Sequence, residues 1–375
     1  MEGFDMSDVS IRKILSNSIF FIVVFCLYIY IYNGALKQGD IVAHISFMED
    51  LANGKELTFV HTGFHYLGIF ISKLTGISFK GSTYLIMALS SSLFLLWIKH
   101  LFSPLKSYSI FCIMFICFGT SCFNFITHQF YLGQFANVVY HNPTFILSRI
   151  ISIVCIYYFF KMYEQRNYKS LFILSFIMAY QTFIKPNFTV TFFSALFFLF
   201  LYEIFKRNWQ SVINIVIFTL PSFLMACYLT IFSIVEGGLG VGFLNVLNFY
   251  TGGYIKSLTT FGFSLIAPIV IVVVLKTKKI KFSKPLIISM IACVIGIFTF
   301  VFFFESGSRF THANYAWSMA SGYSLLYFYI AKVYFEFYNQ IDNRGKLFCN
   351  VALLFHVLSG ACYWIISYSN LLTVL

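Results

Sequence analysis

Asp40 and His44 sit four residues apart, so a helix through them places both on one face. A carboxylate there can act as a general base on a hydroxyl, with the imidazole orienting it or touching the same substrate. The acid's position at a helix start also suits the macrodipole, a purely structural role. His61 and His65 repeat the spacing and could meet a phosphate, or help Asp40 hold a divalent cation. The uncharged run Gly133–Thr144 gathers Gln134, Asn137, His141 and Asn142 before Pro143. Asn142 and Pro143 form a helix-start signal, which leaves His141 unexplained. A helix N-terminus of this kind also favours an anion, and Arg149 lies about two turns further on. Lys185-Pro186-Asn187 interrupts an apolar run, and a lysine at membrane depth is costly without an anionic partner or a route to the surface. The densest polar grouping beside a span is 305–314, with Glu305, Arg309, His312 and Asn314. Glu305 and Arg309 can pair with each other, or Arg309 can grip a phosphate with both ends of its guanidinium.

These residues must be positioned by membrane helices. The 375-residue chain is 59% hydrophobic and 21% aromatic, with 50 Phe and only 10% charged residues. A soluble domain carries about 25% charged residues, so this composition excludes one, as it excludes a disordered chain or a free nucleic-acid-binding domain. Mean hydropathy is +0.84. The expected fold is all-α, a single polytopic helical bundle over residues 1–375 without a separate soluble domain. The net charge of +12 then concerns topology, and no nucleic-acid partner is expected. The nine cysteines are scattered in or near apolar runs without CxxC spacing, which points to reduced packing residues.

Eleven spans are expected, at 15–34, 82–98, 107–125, 144–160, 170–184, 187–205, 211–234, 261–276, 285–304, 316–336 and 347–370. The first lacks a cleavage signal and is expected to be retained. With the N-terminus in the cytoplasm, most of the 25 basic residues fall in cytoplasmic segments, as the positive-inside rule requires. The C-terminus and the polar groups above then lie outside. Residues 35–81 become an external loop. Ile41, Ile45, Met48 and Ala52 form one apolar stripe over Asp40–Ala52, and Phe64–Leu74 is a second apolar stretch; both are expected to lie in the interface plane. No Walker loop, GxSxG, HExxH or Asp-x-Asp occurs.

The arrangement Gly39-Asp40-Ile41-Val42-Ala43-His44, followed by His61-Thr62-Gly63-Phe64-His65, resembles the GT-C membrane glycosyltransferases. The resemblance implies a catalytic acid soon after the first span, interfacial helices in the first external loop and a polyprenyl-phosphate or -diphosphate sugar donor. It implies Asp40 as base with His44 beside it. His65, His141, Asn142, Lys185, Glu305, Arg309 and His312 become binding residues for substrate and phosphate. The partners implied are that donor, a glycan or lipid-linked acceptor and membrane lipids, in bacterial surface-polysaccharide assembly at the cytoplasmic membrane. No cofactor is demanded, and the Asp-x-Asp or Glu-x-Asp of some members, with its metal, is missing. Two alternatives stay open: a Wzy-type repeat-unit polymerase, disfavoured by few external arginines, and a lipid-linked glycan flippase, disfavoured by the lack of internal repeats.

Overall fold

The computed structural model describes residues 6–35, 40–55, 57, 62–103, 116, 142–232, 239–306 and 315–373. In chain order the elements are α1 (Met6–Ala35), α2 (Asp40–Ala52), α3 (Gly63–Thr75), α4 (Phe79–Phe102) and α5 (Pro143–Met162). Then come α6 (Tyr168–Ile184), α7 (Asn187–Phe205), α8 (Trp209–Phe232), β1 (Leu239–Val241), α9 (Asn245–Thr251) and α10 (Tyr254–Thr277). The chain closes with α11 (Lys284–Phe302), β2 (Phe303–Glu305), α12 (Ala316–Glu336) and α13 (Asn343–Thr373). The two strands pair antiparallel, with Gly240 opposite Phe304. The described cysteines are free.

Eight of the expected segments, now α1, α4, α5, α7, α8, α10, α11 and α13, are long and apolar enough to cross a membrane. The chain is a multi-pass helical membrane protein. Three expected spans do not join that set. Residues 107–125 lie outside the described residues except for Ile116. Helix α6 has 17 residues and is short for a full crossing. Helix α12 is long enough but carries Ser318, Ser321, Ser324, Tyr323, Tyr327, Tyr329 and Tyr334. All seven are buried, as is nearly every residue of this helix. A helix covered on all sides faces protein, so it can carry hydroxyls that lipid would penalise.

Glycine sets how closely α12 is held. A Cβ at Gly322 would lie 2.7 Å from Cys293 Cα, and one at Gly296 would lie 2.6 Å from the Ser318 carbonyl oxygen. The two helices therefore touch backbone to backbone in an antiparallel pair, the close approach that small residues permit in membranes. On its other sides α12 meets α5 and α4 through aromatic rings. Trp97 stacks on Phe328 at 5.7 Å and meets Tyr157 edge-on at 5.3 Å. The outward faces carry Phe172, Phe176, Phe197, Phe198, Phe223 and Phe298, each more than half exposed, where a bilayer would solvate them.

Pro268 lies inside α10 and has no N–H to give the Ser264 carbonyl one turn back. The Tyr327 hydroxyl donates to that carbonyl instead. The Ala267 N–H donates to His356 Nε2 at 3.3 Å. His356 Nδ1 lies 3.1 Å from the Tyr327 oxygen. Because Nε2 accepts, the ring is neutral with its proton on Nδ1, and the bonds run His356 to Tyr327 to Ser264.

The ends of α5, α7 and α11 are joined by a charged clasp. Glu203 on α7 is buried and accepts from the Tyr163 hydroxyl at 2.6 Å and from Asn208 at 2.8 Å. Lys284 Nζ reaches Glu203 at 3.1 Å and Glu164 at 2.7 Å, and it also bonds the Tyr163 oxygen. Burial pushes the Tyr163 hydroxyl up to about 12, so it stays protonated and donates.

Candidate functional site

The site begins with α2 and α3. Asp40 opens α2 in its first turn. Ile41 and Met48 are fully buried and Ile45 packs against the core, so the expected apolar stripe faces protein; Ala52 at its end is exposed. On α3, Phe64, His65 and Ile69 are buried, while Tyr66, Phe70 and Leu74 point outward at helical spacing. The two expected helices are thus docked on the bundle, and α3 keeps a second, outward apolar stripe. Met48 holds them together: a Cβ at Gly68 would lie 2.6 Å from the Met48 sulfur.

That docking joins two histidines which sequence spacing had placed in separate pairs. His44 Nδ1 and His65 Nε2 are 2.8 Å apart, and the rings stack at 5.0 Å between centroids. Phe47 and Phe64 stand edge-on to them. His44 is half-buried, whereas His65 is fully buried. Burial pushes the His65 imidazole down to about 4, opposed only in part by the Thr62 carbonyl. His65 Nε2 is engaged by His44. Among the described residues no group of three His, Cys, Asp or Glu is arranged to hold a metal ion.

Helix α3 starts against the end of α6. A Cβ at Gly63 would lie 3.1 Å from the Ile184 backbone nitrogen, and the Tyr180 hydroxyl donates to the Gly63 carbonyl at 3.0 Å. The next residue after Ile184 is Lys185, where the backbone turns extended and α6 ends. Pro186 follows and α7 begins at Asn187, so the expected break at Lys185-Pro186 is present as a two-residue corner. Lys185 is 4% exposed, with its ammonium 4.8 Å from the Trp317 ring centroid. A cation over an indole face is stabilised, more so when shielded from water.

The corner is held by a polar seam across four helices. Gln181 Nε2 donates to the Lys185 carbonyl at 2.8 Å and to Ser148 Oγ at 2.7 Å. Gln181 Oε1 accepts from Thr189 at 3.0 Å. Asn187 donates to Ser318 Oγ at 3.2 Å, and the Thr191 hydroxyl donates to the Ser318 carbonyl, also at 3.2 Å. Arg149, next to Ser148 on α5, is 7% exposed. At the start of α5, Asn142 caps the helix: its Oδ1 accepts from the Phe145 N–H at 3.0 Å and from the Thr144 hydroxyl. Phe145 in turn packs on Trp317 at 4.8 Å.

Direct contacts therefore bring the first turns of α3, α5, α7 and α12 to the end of α6, with α2 carried on α3. Asp40, His44, His65, Asn142 and Lys185 all belong to this end of the bundle. Glu305 closes β2, its backbone opposite Leu239. His61, His141, Arg309 and His312 lie outside the described residues. Sequence reasoning missed Trp317 and Gln181. The signal for Gln181 was its place one turn before Lys185 inside an apolar run; the signal for Trp317 was its place two residues after the polar stretch 305–315. Comparison with models of known protein families and with curated protein sequences gives no match.

Proposed function

We propose that this chain is a GT-C-like glycosyltransferase that takes its sugar from a polyprenyl-phosphate or -diphosphate donor, with the site on the outer side of an eleven-span bundle. The observation that carries the reading is the docking of α2 and α3, bearing Asp40 and His44, at the helix corner where the buried Lys185 sits. A carboxylate, an imidazole and a shielded cation at one end of a membrane bundle suit a reaction between a hydroxyl and a lipid-held phosphate ester.

In that reaction Asp40 removes the proton of the acceptor hydroxyl as its oxygen attacks the anomeric carbon. The bond from that carbon to the phosphate oxygen breaks, and the electron pair leaves with the phosphate. Attack opposite the leaving group inverts the anomeric centre. Lys185, together with Arg309, offsets the charge that develops on the departing phosphate. A lipid-linked donor reaches this end through the bilayer, so no nucleotide pocket is needed.

The test is transfer from polyprenyl-linked sugars by purified protein in lipid. Asp40→Asn keeps the shape but takes no proton at neutral pH, and it should lower turnover about 10²–10⁴-fold while membrane insertion is unchanged. Parental turnover by this variant would remove Asp40 as base and with it the GT-C reading.

A further inference from the structure

Helix α1 lies at the rim of the bundle: within Ile14–Ile31 only Ile31 is buried. It runs against α4, with Lys99 Nζ 4.6 Å from the Phe20 ring centroid toward one end of the pair. Toward the other end an open groove of about 450 Å³ is lined by Phe25, Cys26, Ile29 and Tyr30 of α1 and by Tyr84 of α4. Tyr84 is 8% exposed, and its hydroxyl is buried without a hydrogen-bond partner among the described residues. A phenol buried with no acceptor is costly, and an oxygen carried into the groove relieves that cost. One turn before it, Lys80 is exposed, with its ammonium 6.0 Å from the Tyr84 ring centroid. No carboxylate among the described residues pairs with Lys80. Lys80 is the second residue of the 24-residue helix α4, so it stands at headgroup depth. Tyr84 lies about 6 Å deeper along the axis.

We propose that this groove binds one anionic glycerophospholipid of the surrounding bilayer. Its phosphate meets Lys80, an ester carbonyl accepts from the Tyr84 hydroxyl, and the start of the acyl chain lies along Phe25, Cys26 and Ile29. A glycerophospholipid carries an ester carbonyl just below its phosphate, in the order in which α4 presents Lys80 and Tyr84. A polyprenyl phosphate has no carbonyl at that depth, and its chain would leave the hydroxyl unmet. A lysine at the membrane surface favours an anionic headgroup. Asp40, His44 and Lys185 take no part in lining the groove, so the lipid site does not depend on the glycosyl-transfer reading.

Cys26 reports occupancy, because it lines the groove and is free and exposed. The full chain in neutral detergent is treated with N-ethylmaleimide, and modification of each cysteine is followed by peptide mass spectrometry. Cys362 is also free and exposed but does not line the groove, which makes it the control. Phosphatidylglycerol at about ten times its dissociation constant should slow Cys26 about tenfold and leave Cys362 unchanged. Lys80→Gln should weaken this binding about fivefold. Tyr84→Phe should weaken it about two- to tenfold. An ether-linked phosphatidylglycerol, which lacks the carbonyls, should bind the parent and Tyr84→Phe alike. In lipid-free detergent Tyr84→Phe should not lower thermal stability, since the hydroxyl has no protein partner to lose; a loss there overturns its assignment to the lipid. No slowing of Cys26, equal slowing of Cys362, or full binding by both variants overturns the proposal. Protection by polyprenyl phosphate as strong as that by phosphatidylglycerol also overturns it.

Discussion

At the scale of single residues, burial decides which titration matters. His65 ionises at about 4 in the folded chain against an ordinary value near 6.5. Between those values the unfolded chain binds a proton that the folded chain refuses. Stability is therefore unaffected above about pH 6.5 and falls as pH drops toward 4, by up to about 3 kcal/mol. Thermal unfolding of detergent-solubilised protein across that range should show the slope, and His65→Gln should flatten it. A second prediction concerns Tyr327. Removing its hydroxyl in Tyr327→Phe leaves the Ser264 carbonyl without the donor that Pro268 cannot supply. The cost should be about 1–3 kcal/mol. Restoring a backbone N–H with Pro268→Ala should make the Tyr327→Phe cost smaller in a double-mutant cycle. An undiminished cost would mean that the proline and the tyrosine act independently. Sequence reading reached Asp40, His44, His65 and Lys185 because ionisable residues are rare in such a chain. It did not reach His356 or the Glu203–Lys284–Tyr163 clasp. Those partners are 29 to 121 positions apart, and nothing in the spacing links them.

At the scale of elements, the expected helices at 40–52 and 64–74 were legible because their apolar residues recur at helical spacing. Their placement was not. Amphipathic segments of this kind fit an interface plane as well as a protein surface, and the choice fell to contacts such as Gly68 on Met48 and Gly63 on Ile184. The start of α5 was legible from Asn142-Pro143, since capping is local chemistry. The α11–α12 pair makes the element-scale prediction. Even one methyl at Gly322 meets backbone at 2.7 Å, and backbone cannot rotate away as a side chain can. Gly322→Ala should cost about 1–3 kcal/mol, as overpacking does. Gly262, where an added methyl would meet nothing within 4 Å, should accept Ala far more easily. Thermal stability of the two variants in the same detergent distinguishes them; equal effects would mean that the helix contact is looser than the backbone distances require.

At the scale of the whole molecule, a side-by-side topology follows from the alternation of helices and the distribution of basic residues. Reporter fusions after Lys55 and after Lys279 should fall on opposite faces of the membrane, the first outside and the second in the cytoplasm. A cytoplasmic signal after Lys55 would place the acid and histidines of α2 and α3 on the wrong side for an externally held acceptor. Fold class was legible from composition alone, because 10% charge cannot keep such a chain wet. The central place of α12 was not, since its tyrosines and serines look like a weak span until its neighbours are known. That place has a consequence for biogenesis. A segment rich in hydroxyls gains little by leaving the insertion machinery for lipid. It gains much by entering a slot already walled by α4, α5, α7 and α11, all of which are synthesised before it. The ribosome delivers α12 after those four helices, an order in which protein, and not lipid alone, can receive it.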